Sequence, residues 1–202
     1  MSRVVHVIGN GDSADLYNKE ERKGLKLTCN LPPFPVPNVY ASCIVDFKMM
    51  KAITEGVIDV PGEWVLGFRP KIWMEKHPDF YMRRAQQIKE FFVEKPKYVA
   101  NYTDFNCGHM AVYYAIKKFN PTEINIYGFD SIFDMNLRSS SDFFMISDRQ
   151  ANNNVRLNGN WRPIWVKLFN EFNSINFKLH HFHNHIKFEV GDNVEIITYG
   201  KK

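Results

Sequence analysis

An α/β fold with a largely parallel sheet, covered by helices on both faces, is what this sequence predicts. Short apolar, β-branched runs recur along the chain, beginning with Val4-Val5-His6-Val7-Ile8. Segments of helical spacing separate them. Strands that alternate with helices in this way build parallel sheets buried on both sides. With 202 residues, 45% hydrophobic and 24% charged, the chain has the size and composition of one globular domain over 1–202.

The first strand covers 4–8, because a glycine turn directly follows its apolar run. A polar helix is expected over 13–22, with Asp12 or Ser13 as its N-cap. Residues 25–29 form the second strand. Pro32, Pro33, Pro35 and Pro37 lock φ and remove donors, so 31–38 is a loop. A third strand covers 42–46, a helix 47–55 and a fourth strand 63–68. Residues 78–93 read as one amphipathic helix, with Phe80, Ile88, Phe91 and Phe92 among its apolar positions. A short strand is expected over 98–100. The helix over 108–119 is apolar on most sides and therefore buried. The strand over 124–127 runs into Gly128-Phe129-Asp130. Segment 131–158 is polar and weakly periodic, and reads as a lid or mobile active-site loop. A helix over 161–172 tolerates Pro163 in its first turn. Strands over 176–179 and 194–199 complete the order.

The net charge of +4 and the isoelectric point near 8.9 suit a polyanionic partner such as a nucleotide or nucleic acid, without requiring one. Cys29, Cys43 and Cys107 are odd in number and form no Cys-x-x-Cys pair. They read as reduced thiols of a cytoplasmic protein, not as a disulfide framework or a zinc site. The leading residues are too short for a signal peptide, and no window of about 18 apolar residues offers a membrane span.

The segments suited to chemistry lie where strands end. Gly9-Asn10-Gly11-Asp12-Ser13 stands between a strand and a helix. Its glycines permit close backbone approach, and a helix start offers free N–H groups to an anion. Asn10, Asn30 and Asp46 each follow a strand, and in open α/β sheets ligands sit beyond the carboxyl ends of strands. Asn106 and Gly108 open the buried helix and offer further backbone donors. Gly128 and Asp130 end a later strand, with Asp134 and Asp142 downstream. A carboxylate there would act as a general base or hold a ribose hydroxyl. For the Asn and Asp residues, ordinary helix capping is the competing reading. On an extended chain His181, His183 and His185 would share one face, a pattern compatible with a transition metal or with plain polar residues. His109 is a second-rank acid–base candidate.

The order Gly9-Asn10-Gly11-x-Ser13, Cys29-Asn30, Asn106-Cys107-Gly108, Ile126-Tyr127-Gly128-Phe129-Asp130 resembles that of the bacterial lipooligosaccharide sialyltransferases and the motility-associated glycosyltransferases. It covers 1–175 in order, with gaps. The resemblance implies one Rossmann-like domain with a lid, and metal-independent transfer of a sugar from a nucleotide-sugar co-substrate to a hydroxyl acceptor, with no other cofactor. By motif position it also implies nucleotide contacts at Asn10, Gly11, Ser13, Asn30, Gly108 and Gly128, with Asp46 where the family has another polar donor-binding residue. Gly9, Asp12 and Asn106, in the same turns, complete the candidate nucleotide-binding set. Asp12 stands where that family has proline, and Asn106-Cys107 where it has Thr-Ser. The family also places a catalytic histidine shortly before the last helix, and 152–161 contains none. Asp130 and Asp134 are therefore the candidate bases.

The acceptor is expected to be either a glycan or the hydroxymethylated bases of phage-type DNA. For DNA, Lys48, Lys51, Arg69, Lys71, Arg83, Arg84, Arg138, Arg149, Arg156 and Arg162 would supply phosphate contacts. A non-catalytic nucleotide-binding module is the other alternative.

Overall fold

A computed structural model describes residues 3–18, 22–133, 161–183 and 189–200. Eight strands form one sheet, all pairs parallel: β1 (Val4–Ile8), β2 (Leu25–Cys29), β3 (Ala41–Ile44), β4 (Trp64–Leu66), β5 (Ile88–Phe91), β6 (Glu123–Tyr127), β7 (Asn176–His181) and β8 (Val194–Thr198). Their order is β5-β4-β3-β2-β1-β6-β7-β8. The chain thus builds outward from β1 to one edge, crosses back, and builds outward from β6 to the other. This is a Rossmann-like arrangement, and the reversal lies between β1 and β6, where Ile8 pairs with Tyr127.

Alternate residues of each strand feed opposite faces. Val5, Val7, Leu27, Cys43, Val65, Ile124, Ile126 and Phe177 meet α5 (Cys107–Phe119) and α6 (Trp161–Glu171) in the largest core. Ile44, Trp64 and Leu66 point the other way, against Met49, Met50 and Ile53 of α2 (Phe47–Thr54) and Met74 of α3 (Phe68–Lys76). Phe80 of α4 (Pro78–Arg84) joins that second core. A third, smaller cluster packs Ile8 and Tyr127 under Leu16 and Tyr17 of the four-residue α1 (Asp15–Asn18). The three cysteines are free thiols and buried, and Cys29 and Cys43 are register partners.

Several expectations need correction. Residues 78–93 are not one helix. The helix α4 stops at Arg84, and Ile88–Phe91 joins β4 as an edge strand. Its Lys89 and Glu90 reach Glu63 and Lys118, so charges placed by an edge position resembled the polar face of a helix. The helix α3 had no counterpart in the sequence reading. Residues 98–100 form no strand, although Val99 is buried. The helix expected from 13 opens as a 3-10 turn at Asp12–Ala14, capped by Gly11 with no side-chain bond.

The buried helix α5 begins with a reciprocal cap. Asn106 Oδ1 accepts from the His109 amide at 2.9 Å, and His109 Nδ1 accepts from the Asn106 amide at 3.0 Å. With Nδ1 accepting, Nε2 carries the proton and donates to the Trp161 carbonyl at 3.0 Å, tying α5 to α6. Asn120 ends the helix in the left-handed conformation. The acid–base role considered for His109 is thereby replaced by a structural one.

His109 is fully buried, and burial pushes its pKa down to about 3. The unfolded chain carries an ordinary histidine near 6.5. Below pH 6.5 the unfolded state takes up a proton that the native state refuses. Stability is therefore complete above pH 6.5 and falls as pH drops toward 3. Between pH 7 and 4.5 this group alone should cost about 2–3 kcal/mol. His109→Gln keeps a residue suited to the reciprocal cap, and urea titrations should show it losing less stability over that interval than the parent.

Candidate functional site

The reversal of strand order lies between β1 and β6, and beyond the carboxyl ends of such strands open α/β sheets place their ligands. Two turns meet there. Residues 9–14 leave β1, and residues 128–133 leave β6. The Gly9 amide donates to the Tyr127 carbonyl at 2.7 Å, and the Gly11 amide to the Gly128 carbonyl at 2.7 Å. Gly128 has φ of +77°, and a Cβ there would lie 2.7 Å from the Ala14 Cβ. A Cβ on Gly11 would collide with Asp130 Oδ2. These glycines let two turns lie backbone against backbone.

This overturns one expectation. The amides of Gly9, Gly11, Ser13 and Ala14 all donate within the protein, so this turn is not an open anion cradle. Asn106 is likewise committed to its cap, and Gly108 lies against the Phe129 and Trp165 rings. Asp46 pairs with Arg69 at 2.8 Å at the end of β3, and Asp12 stays exposed in the first 3-10 turn.

The glycine packing positions Asp130, which is 3% exposed. Its Oδ2 accepts from the Ser13 amide at 3.0 Å, and its Oδ1 accepts from Ser13 Oγ. His183 Nε2 donates to the same Oδ1 at 2.7 Å. The carboxylate stands between serine and imidazole, so the imidazole does not activate the serine as in a hydrolytic triad. Asp130 is an acceptor for three donors, suited to fixing the tautomer and orientation of His183.

The histidine run divides. His180 lies on the opposite face from His181, donating through Nε2 to Asn125 Oδ1 at 2.8 Å and accepting at Nδ1 from the Tyr199 hydroxyl at 2.9 Å. Burial, with nearby positive charge, pushes its pKa down to about 3. His181 Nδ1 accepts from the His183 amide at 2.9 Å, its ring stacks on Phe133, and Nε2 donates to Thr198. Burial lowers its pKa as well, with the His183 charge adding to the effect. The strand ends at His181, so the alternation that would bring three imidazoles to one face stops there. His185 lies outside the described residues, and among those described no group of three metal-binding side chains occurs.

Asn10 and Asn30 flank this cluster at the ends of β1 and β2. Asn10 Nδ2 donates to the Leu31 carbonyl at 2.6 Å. Asn30 takes a left-handed backbone with φ of 55°, is 7% exposed, and its buried Oδ1 meets no donor. Such an unpaired acceptor costs about 1–3 kcal/mol, which a ligand donor would recover. Asp134, Asp142 and most of the expected lid lie outside the described residues; 131–132 continue the 3-10 turn begun by Asp130. Sequence reasoning named Asp130 and His183 separately and missed their pairing, because 53 residues separate them.

Asp130→Ala should remove about 3 kcal/mol from the urea-unfolding free energy, by leaving three buried donors unpaired. Gly11→Ala should cost a similar amount by displacing the same carboxylate. The double variant should lose clearly less than the sum of the two, because both remove one interaction set. Comparison with family models, curated proteins and solved structures finds no match to this chain.

Proposed function

We propose that this chain is a glycosyltransferase that moves a sugar from a nucleotide-sugar donor to a hydroxyl acceptor, without a metal. The observation that carries the reading is the buried Asp130–His183 pair at the strand-order reversal, flanked by Asn10 and Asn30. The motif resemblance to the sialyltransferase-like enzymes supports the same reading. His183, oriented by Asp130, takes the proton of the acceptor hydroxyl as its oxygen bonds to the anomeric carbon. The bond from that carbon to the phosphate oxygen breaks, and the nucleotide leaves with the electron pair. The Asp130 carboxylate faces the imidazolium that forms. Three donors already occupy its two oxygens, so the base role assigned to it from the sequence passes to His183. Asp134 is the alternative base.

The paired acid and imidazole favour a catalyst over a silent nucleotide-binding module. A glycan acceptor is favoured over DNA, since many of the cations considered for phosphate contact are otherwise engaged. Lys51, Arg69, Lys71 and Arg84 face Glu55, Asp46, Glu75 and Asp59, and Arg162 donates to the Ile132 and Phe133 carbonyls. Arg138, Arg149 and Arg156 lie outside the described residues. Among the described residues no helix is long and apolar enough to cross a membrane.

A thermal-shift panel of CMP, UMP, UDP, GDP and ADP, with and without EDTA, tests the reading. One nucleotide at about 100-fold over its Kd should raise Tm by on the order of 5–10 °C, indifferent to EDTA and diminished in Asn30→Ala. No shift with any of them would overturn nucleotide binding. With donor identified, His183→Asn should lower kcat about 10²–10⁴-fold while nucleotide affinity stays within twofold of the parent.

A further inference from the structure

A second feature lies on the same carboxyl edge, three strands away from β1. Val45 follows β3, Gly67 and Phe68 follow β4, and Phe92 follows β5; together with Tyr102 and Phe105 they line a shallow cleft open to solvent. Phe68 is 38% exposed, and its ring stacks on Tyr102 at 4.2 Å and 15°. The Tyr102 hydroxyl donates to the Val93 carbonyl at 2.9 Å, which fixes the wall. An exposed aromatic held flat by its neighbour presents a π-face to whatever enters.

Charged groups of both signs border this wall. Arg69 is held by Asp46 through Nη2, while its Nε has no acceptor and is buried. Glu94 lines the same cleft and is exposed. An aromatic platform bordered by a donor and a carboxylate suits a flat heterocycle whose edge carries both acceptors and N–H groups.

We infer that this cleft holds the nucleobase of a nucleotide ligand, stacked on Phe68 and read at its edge by Arg69 and Glu94. The inference rests on the nucleotide reading above and deepens it. Neighbouring strands lie about 4.8 Å apart, so the end of β4 is about 14 Å from β1 and about 19 Å from β6. That separation is comparable with an extended nucleoside diphosphate sugar. With the base at β4, the phosphates pass Asn30 and Asn10, and the sugar reaches His183. An acceptor bound in the cleft would lie too far from His183 to lose its proton there.

The test uses the full chain and two probe sets, free nucleosides (cytidine, uridine, guanosine, adenosine) and the corresponding nucleoside diphosphates. Binding is followed by calorimetry and by NMR of the aromatic side chains. One nucleoside should perturb the Phe68 and Tyr102 signals, and Phe68→Ala should weaken the matching diphosphate about tenfold. Phe68 is partly exposed, so this variant is expected to fold, and its urea midpoint checks that. Inorganic pyrophosphate affinity should be unchanged in Phe68→Ala. If a diphosphate binds, Asn30→Ala weakens it and Phe68→Ala leaves it within twofold, the base lies elsewhere and this inference fails while nucleotide binding stands. If nucleosides perturb the cleft but no diphosphate binds more tightly, the cleft assignment stands and the donor reading fails. No response to either set overturns the cleft assignment and excludes a nucleoside diphosphate donor.

Discussion

The Asp130 carboxylate is the tie on which the carboxyl edge of this sheet depends. Where strand order reverses, β1 and β6 send their connections to opposite sides, and beyond the backbone bonds of Gly9 and Gly11 the two exits are held together by a side chain. Asp130 joins them by accepting from Ser13 after β1, and it reaches past β7 to His183. A buried carboxylate is tolerable because donors surround it. The glycines at 11 and 128 are the steric condition for that arrangement, since any side chain there would part the two turns.

Neutral imidazoles run through the same region. His109, His180 and His181 each have both ring nitrogens engaged in hydrogen bonds, and burial depresses each pKa. A parallel sheet usually buries apolar side chains on both faces. Here one face of β1, β6 and β7 carries His6, Asn125, Tyr127 and His180, joined by hydrogen bonds and by stacking of Tyr127 on His180. His6 Nε2 donates to the Lys23 carbonyl, and Nδ1 accepts from the Tyr127 hydroxyl. The polar face is thus satisfied internally, with the imidazoles uncharged.

The carboxyl edge collects the features that bear on function. Its centre carries the Asp130–His183 pair with Asn10 and Asn30, and its β3–β5 side carries the aromatic cleft. Both positions follow from a parallel sheet, in which every strand delivers its next loop to one edge. The amino-acid types at those strand ends were visible early, but their uses were divided. Asn106 caps a helix, Asp46 holds Arg69, and Asn30 keeps an unused acceptor.

Strands β1 and β2 and the buried helix α5 were legible in the sequence, because an apolar run or a helical repeat is local and its turn residues adjoin it. The alternation of such segments determined the α/β class. The edge strand β5 and the helix α3 were not legible, since Lys89 and Glu90 of β5 find partners only through neighbours brought up by the fold. The strand order was beyond local pattern as well. Ser13, Asp130 and His183 are separated by 117 and 53 residues, and only the placement of β6 beside β1, with β7 beyond it, makes them one hydrogen-bonded group. Sequence chose the residue types at the strand ends; tertiary structure chose which of them meet, because hydrogen bonding acts over a few ångströms of space regardless of distance along the chain.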